Sequence, residues 1–205
     1  MVAGANDLQS AESRLRRDAQ ANQERVLAAA VTAVLREGEQ VPMATIAAEA
    51  RVGVGTLYRR YPTREALLSA LTERAFGLVL DCAREAEAGS QPGLTSLDRF
   101  LDCVIARRGQ LMLPLHGGPT KLPPHTVAVR AQVHATLGRI LQRGHCDGSI
   151  RADATTIDVI VLGAMLAQPL PTAENWDRIA RRQKSIFLAG LSAHRPADQP
   201  RGSSG

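Results

Sequence analysis

The chain is 205 residues long, 44 % hydrophobic and 22 % charged, with a formal net charge of +5. That length suits one large domain, or a small domain joined to a larger one, with enough chain to bury a core. Aromatics make up only 3 %, so the core must be Leu, Val, Ile and Ala, which favours packed helices over sheets. Cys82, Cys103 and Cys146 form no CxxC pair; they predict a reducing compartment and no disulfide framework. The start, MVAGANDLQSAES, lacks an apolar signal core, and the longest apolar run, Val159 to Ala167, is too short to span a bilayer. No membrane partner is expected, and a cytoplasmic protein is the reading.

Residues 1–20 are small and polar and are expected to form a flexible basic arm carrying Arg14, Arg16 and Arg17. In the next stretch Val26, Leu27, Ala30, Val31, Val34 and Leu35 recur at helical spacing, with Asn22 as a candidate N-cap and Gly38 as a stop. A short helix follows over MATIAAEA, with Ile46, Ala47 and Ala50 on one face. A break at Arg51–Gly53 leads to a third helix, VGTLYRRY, ended by Pro62. Thr63 then caps one long helix whose stripe is Leu67, Leu71, Ala75, Leu78 and Cys82.

GSQPG at 89–93 reads as a linker, and a helix from about Ser96 to Gly109 comes after it. The proline-rich LPLHGGPTKLPPH cannot be a regular helix. Further helices are predicted over about 126–143, 153–168 and 174–191. The 153–168 segment is apolar nearly all round and is expected to be buried on more than one side. In the last helix Trp176, Ile179, Ile186, Phe187 and Leu191 are expected to point inward. The residues at 194–205 read as a disordered tail. The fold class is all-α.

Two short helices with a tight break, behind a longer one, make a helix-turn-helix. Basic residues crowd into it: from Arg51 to Arg64 there are arginines at 51, 59, 60 and 64 and no acid. Such a patch suits a polyanion. The second short helix would present hydroxyl and guanidinium donors, Thr56, Tyr58 and Arg59, to phosphates and base edges, while Gly55 lets them approach the backbone. A nucleotide loop is excluded for the Gly53–Gly55 run, which follows a helix rather than a strand and carries no Lys-Ser/Thr. The spacing of His116, His125, His134 and His145 matches no compact zinc pattern. No Ser-His-Asp or Cys-His constellation can be assembled. Neither an enzyme, a metal nor a cofactor is expected.

At Ile46-Ala47, Val52, Gly55-Thr56-Leu57-Tyr58, Tyr61-Pro62 and Arg64-Glu65-Ala66-Leu67 the chain resembles the TetR (tetracycline-repressor) family of bacterial regulators. The resemblance covers about residues 20–75. It implies a helix-turn-helix domain over 21–63 and a helical ligand-binding and dimerisation domain over 64–193. It places Thr45 near the start of the helix facing DNA, and Gly55, Thr56, Tyr58, Arg59 and Arg60 around the recognition helix. Arg64 would reach a phosphate, and Arg14, Arg16 and Arg17 would touch backbone or minor groove. It further implies a small-molecule pocket, for which Phe100, Cys103, Val104, Arg107, Met112, His116, His134, Leu137 and Met165 are the candidates. A homodimer would form through the helices at 153–168 and 174–191.

The expected function is a ligand-responsive repressor that binds a palindromic double-stranded operator and an unidentified small-molecule effector. A ligand-independent repressor or activator, and a helical ligand-binding module with decayed DNA binding, stay open as alternatives. The chain departs from the family run at the turn: Arg51 stands where glycine is usual, and Gly53-Val54 replace Ser-Lys. A side chain in a left-handed turn costs about 1–2 kcal/mol. Either Arg51 bears that cost or Gly53 absorbs the bend.

Overall fold

A computed structural model describes residues 3–38, 40–111, 121–169 and 174–193, with the side chains of the first helix described at Arg14, Arg17 and from Gln20 onward. The described residues form eight α-helices: α1 Ala3–Glu37, α2 Met43–Glu49, α3 Val54–Arg60, α4 Arg64–Glu87, α5 Gly93–Arg107, α6 Pro124–Cys146, α7 Thr156–Leu166 and α8 Trp176–Leu191. Met112, His116 and the predicted tail lie outside the described residues.

The chain divides into two compact units, one of residues 1–76 and 109–126, the other of 77–108 and 127–205. The division falls inside α4. The reason is packing: Leu67 and Leu71, on the first turns of α4, belong to the same buried cluster as Val26, Leu27, Ala30, Val31 and Val34 of α1. Ile46 and Ala47 of α2 and Leu57 of α3 complete that cluster. The small residues predicted for α2 are what let it lie close to α1.

Residues expected to be a flexible arm are helical. α1 starts at Ala3, so Asn22 is an interior residue and caps nothing. The sequence from Ala11 to Arg25 holds no proline or glycine and is rich in Ala, Arg, Gln and Glu, all strong helix formers. Gly38 ends α1 as predicted, at φ +89°, with its N–H donating to the Val34 carbonyl at 2.8 Å.

The second unit has its own buried residues: Leu97, Phe100, Leu101, Val104 and Ile105 on α5, Leu137, Ile140 and Leu141 on α6, and Val159 on α7. α5 starts at Gly93, earlier than predicted, because its first turn has partners outside the helix. Asp147 Oδ2 accepts from the Gly93 N–H at 2.8 Å, and Ser149 Oγ from the Leu94 N–H at 3.2 Å. The hydrogen bond from Ser149, and then that from the Gly93 backbone, hold the Asp147 carboxyl below its ordinary range. A Cβ on Gly93 would fall 2.3 Å from the Gly144 backbone, so glycine is required where α5 crosses the end of α6.

Three expectations about this unit are corrected. Cys82 and Cys103 form a disulfide between α4 and α5; the pairing depends on proximity across two helices, which spacing along the chain does not encode. α7 is buried on one side, through Val159, Gly163 and Leu166, and not on more than one as expected: Ile157, Val161 and Met165 are exposed along another. Ile186 of α8, expected inward, is exposed as well.

Candidate nucleic-acid interface

The turn between α2 and α3 resolves the question Arg51 raises. Its φ is +55°, so Arg51 itself takes the left-handed conformation. Gly53 has φ −66° and ψ 140°, open to any residue. The hydrogen bonds make a Schellman motif: Val52 N–H donates to Ala47 O at 3.0 Å and Arg51 N–H to Ala48 O at 3.1 Å. Val52 tucks against the core cluster beside Ala47. The turn keeps its geometry and Arg51 bears the strain. At Gly53, where a serine would cap α3, no side-chain cap exists.

α3 hangs on one buried residue, Leu57. That anchor sets the rest of the helix outward: Val54, Gly55, Thr56, Tyr58, Arg59 and Arg60 are all exposed, Tyr58 to 47 %. Arg59 Nη2 donates to Thr56 Oγ1 at 3.2 Å, which aligns a guanidinium and a hydroxyl one turn apart. Arg60 is held from α1, its Nη2 donating to Gln23 Oε1. Thr63 caps α4 as predicted, its Oγ1 accepting from the Ala66 N–H at 3.1 Å. Arg64 sits half-buried in that first turn, and Thr45 is half-buried on α2.

The structure therefore brings Gly55, Thr56, Tyr58, Arg59 and Arg60 together on one short helix, with Arg64 just beyond it. Arg14 and Arg17 are exposed on α1. At 1.5 Å of rise per residue they lie about 14 and about 9 Å along that helix from Gln23. The side chain of Arg16 is outside the described set. Sequence reasoning missed Gln23. Together with Asn22, Thr56, Arg59, Arg60 and Tyr61 it lines a recess of about 330 Å³ between α1 and α3. Its signal was slight, a polar residue just ahead of the apolar run of α1.

The described candidate effector residues lie on α5, α6 and α7. Phe100, Val104 and Leu137 are core residues of the second unit. Cys103 is bonded to Cys82, Arg107 is paired with Glu85 at 2.9 Å, and His134 is half-buried on α6. Met165 is 62 % exposed on α7. With Ile157, Val161, Leu162 and Phe187 it lines a shallow recess of about 290 Å³ on the surface of that unit. Among the described residues no group of three His, Cys, Asp or Glu side chains is placed to hold a metal, and no helix is long and apolar enough to cross a membrane.

A helix-turn-helix followed by a second helical unit defines a class of DNA-binding regulator. The family model for bacterial regulatory proteins of the tetR family matches residues 26–71. The TetR transcription regulatory protein from Mycobacterium vanbaalenii is 32 % identical, over 87 % of this chain and 99 % of its own, with a TM-score of 0.59. The TetR transcriptional regulator SCO0520 from Streptomyces coelicolor is 28 % identical, over 83 % and 98 %, at 0.58. The regulator PfmR from Thermus thermophilus, 17 % identical, shares the fold over 82 % and 99 % at 0.62. No curated protein sequence matches the chain. The chain belongs to the TetR family: it is a DNA-binding transcriptional regulator.

Proposed function

We propose that the protein is a homodimeric repressor that places α3 of each subunit in a major groove of a palindromic operator. The observation that carries this reading is the outward row Gly55, Thr56, Tyr58, Arg59 and Arg60, fixed by the Leu57 anchor and the Arg51 turn. An exposed helix face with paired hydroxyl and guanidinium donors is what phosphate and base-edge contacts require. Arg14, Arg16 and Arg17 would follow the backbone from α1, Thr45 would approach it from α2, and Arg64 would meet a phosphate from α4. The dimer reading draws on the apolar side of α7 and α8, where Ile157, Val161, Met165 and Ile186 are exposed. Four helices, two from each subunit, would cover it.

The test is a gel shift with the DNA upstream of the chain's own coding region. Tyr58→Ala and Arg59→Ala should each weaken binding by about tenfold or more, since a lost contact is worth about 1–3 kcal/mol, while the dimer persists in sedimentation. Binding that survives both substitutions overturns the placement of the recognition helix.

Effector control belongs to the same proposal: a small molecule in the second unit would bind the two states of the regulator with different affinity. The packing of Phe100, Val104 and Leu137 into the core favours the other family reading, a regulator that needs no small ligand. A thermal-shift screen of apolar metabolites separates the two. Protection by any of them supports a pocket.

A further inference from the structure

We propose that Cys82 and Cys103 are a reversible redox pair that responds to hydroperoxides and sets operator affinity through α4, an inference resting on the DNA-binding reading above. The two cysteines join the second half of α4 to α5 with their Cα atoms 5.6 Å apart, inside the range that a disulfide spans without backbone movement. The pair is asymmetric: Cys82 is 1 % exposed and Cys103 half-buried. Sensor pairs divide labour in this way, one sulfur open to the oxidant and a second poised to resolve it.

The surroundings fit that division. Glu85 Oε2 lies 3.8 Å from Cys103 Sγ, in reach of a thiol proton, and Arg107 holds the other carboxylate oxygen at 2.9 Å. In the reduced chain the Cys103 sulfur attacks the terminal oxygen of a hydroperoxide, ROOH. The O–O bond breaks, ROH leaves, and Cys103 becomes a sulfenic acid. The Cys103 thiol hydrogen leaves in that ROH; the Cys82 sulfur then attacks the Cys103 sulfur, the S–O bond breaks, and the hydroxyl leaves as water with the Cys82 thiol hydrogen. The peroxide gains two electrons and each sulfur gives up one. A low-molecular-weight dithiol or thiol reverses the reaction by exchange.

Closing the bond has somewhere to act. α4 runs unbroken from Arg64, and its first turns place Leu67 and Leu71 in the core that carries α3. The next residue along from Asp102 on α5 is Cys103, and Asp98 and Asp102 both bind Lys184 of α8, at 2.6 and 2.7 Å. One helix, α5, thus joins α4 by a covalent bond and α8 by an ion pair. Opening the disulfide leaves the Glu85–Arg107 pair, itself partly exposed, as the polar tie named between α4 and α5.

The experiment uses the full folded chain carrying Cys146→Ser, which removes the exposed free thiol. Dithiothreitol should expose two thiols by mass spectrometry of alkylated protein, and stoichiometric hydrogen peroxide should remove both and add no oxygen. Operator affinity of the reduced and oxidised forms, read by gel shift, should differ about tenfold or more. Cys103→Ser should bind with one affinity whatever the treatment. A bond that stays closed in dithiothreitol without denaturant, or thiols that peroxide carries to sulfinic acid and not to the disulfide, overturns the redox pair. Equal affinity of the two wild-type forms overturns control of DNA binding while leaving the DNA-binding reading intact. Absence of any shift at low salt in both forms fails that reading instead, and the thiol titration then decides the redox pair alone.

Discussion

Arg51 holds a conformation that L-residues other than glycine adopt at a cost of about 1–2 kcal/mol, and the Schellman hydrogen bonds around it keep it there. Arg51→Gly should therefore stabilise the first unit by about 1 kcal/mol, the gain being trimmed by the extra chain entropy of glycine. Thermal unfolding measures it, and an unchanged or lower midpoint contradicts the strain. A second residue, Lys184, sets a pH limit. Burial alone would lower its ammonium, but the hydrogen bonds to Asp102 and Asp98 outweigh burial and hold it above the ordinary lysine range. Because the folded value is raised, its contribution is complete at pH below the ordinary lysine value and is lost as the pH climbs through the folded one. Lys184→Met should cost about 2 kcal/mol at neutral pH, as the aspartates are half exposed and partly screened. It should also flatten the alkaline fall in stability, which denaturant melts between neutral pH and pH about 11 would follow. Of these two residues, Arg51 was legible as an anomaly because a turn demands a particular backbone angle. Lys184 was not, because nothing in the pattern ties it to Asp98.

At the scale of elements, the helices that obey local rules are the ones the pattern located. Gly38 stops α1 and Thr63 caps α4, and both act through hydrogen bonds a few residues away. The start of α1 was misread because small polar residues serve helix and coil alike. α7 was misread for another reason. A helix that is apolar all round is covered by something, but hydropathy does not say whether the cover is its own chain. Its N-terminus is well made, with Thr155 and Asp158 exchanging hydrogen bonds in a capping box, so the exposed apolar side belongs to a firm helix. With the dimer proposed above, Val161→Glu should leave a folded monomer, because a carboxylate would be desolvated without a partner in the interface. Analytical ultracentrifugation distinguishes the two; a dimer that tolerates the change places the interface elsewhere.

Across the whole molecule, the net charge of +5 understates the field that DNA would meet. Arg51, Arg59, Arg60 and Arg64 lie within one short stretch without an acid, and a dimer would present them twice. Contacts to six or more phosphates release as many counterions, so raising salt from about 50 to about 200 mM should weaken operator binding by about a thousandfold. A shallow dependence would mean that few of these arginines touch the backbone. The helix-turn-helix was legible because its turn and its anchoring residues answer to fixed backbone needs. For the effector set the pattern does not decide: Phe100 or Leu137 facing a cavity and the same residue facing the core leave identical sequence patterns. The Cys82–Cys103 bond was not legible either, because its two sulfurs meet across a helix boundary.

The burial of Lys184 has a practical corollary. The chain has two lysines, Lys121 and Lys184. Lys121 is exposed, whereas the Lys184 ammonium is enclosed between two carboxylates. An amine acylating reagent should therefore modify Lys121 at once and Lys184 only in those moments when α8 parts from α5. The rate at which the second lysine is acylated is a clock for that separation, readable on unaltered protein.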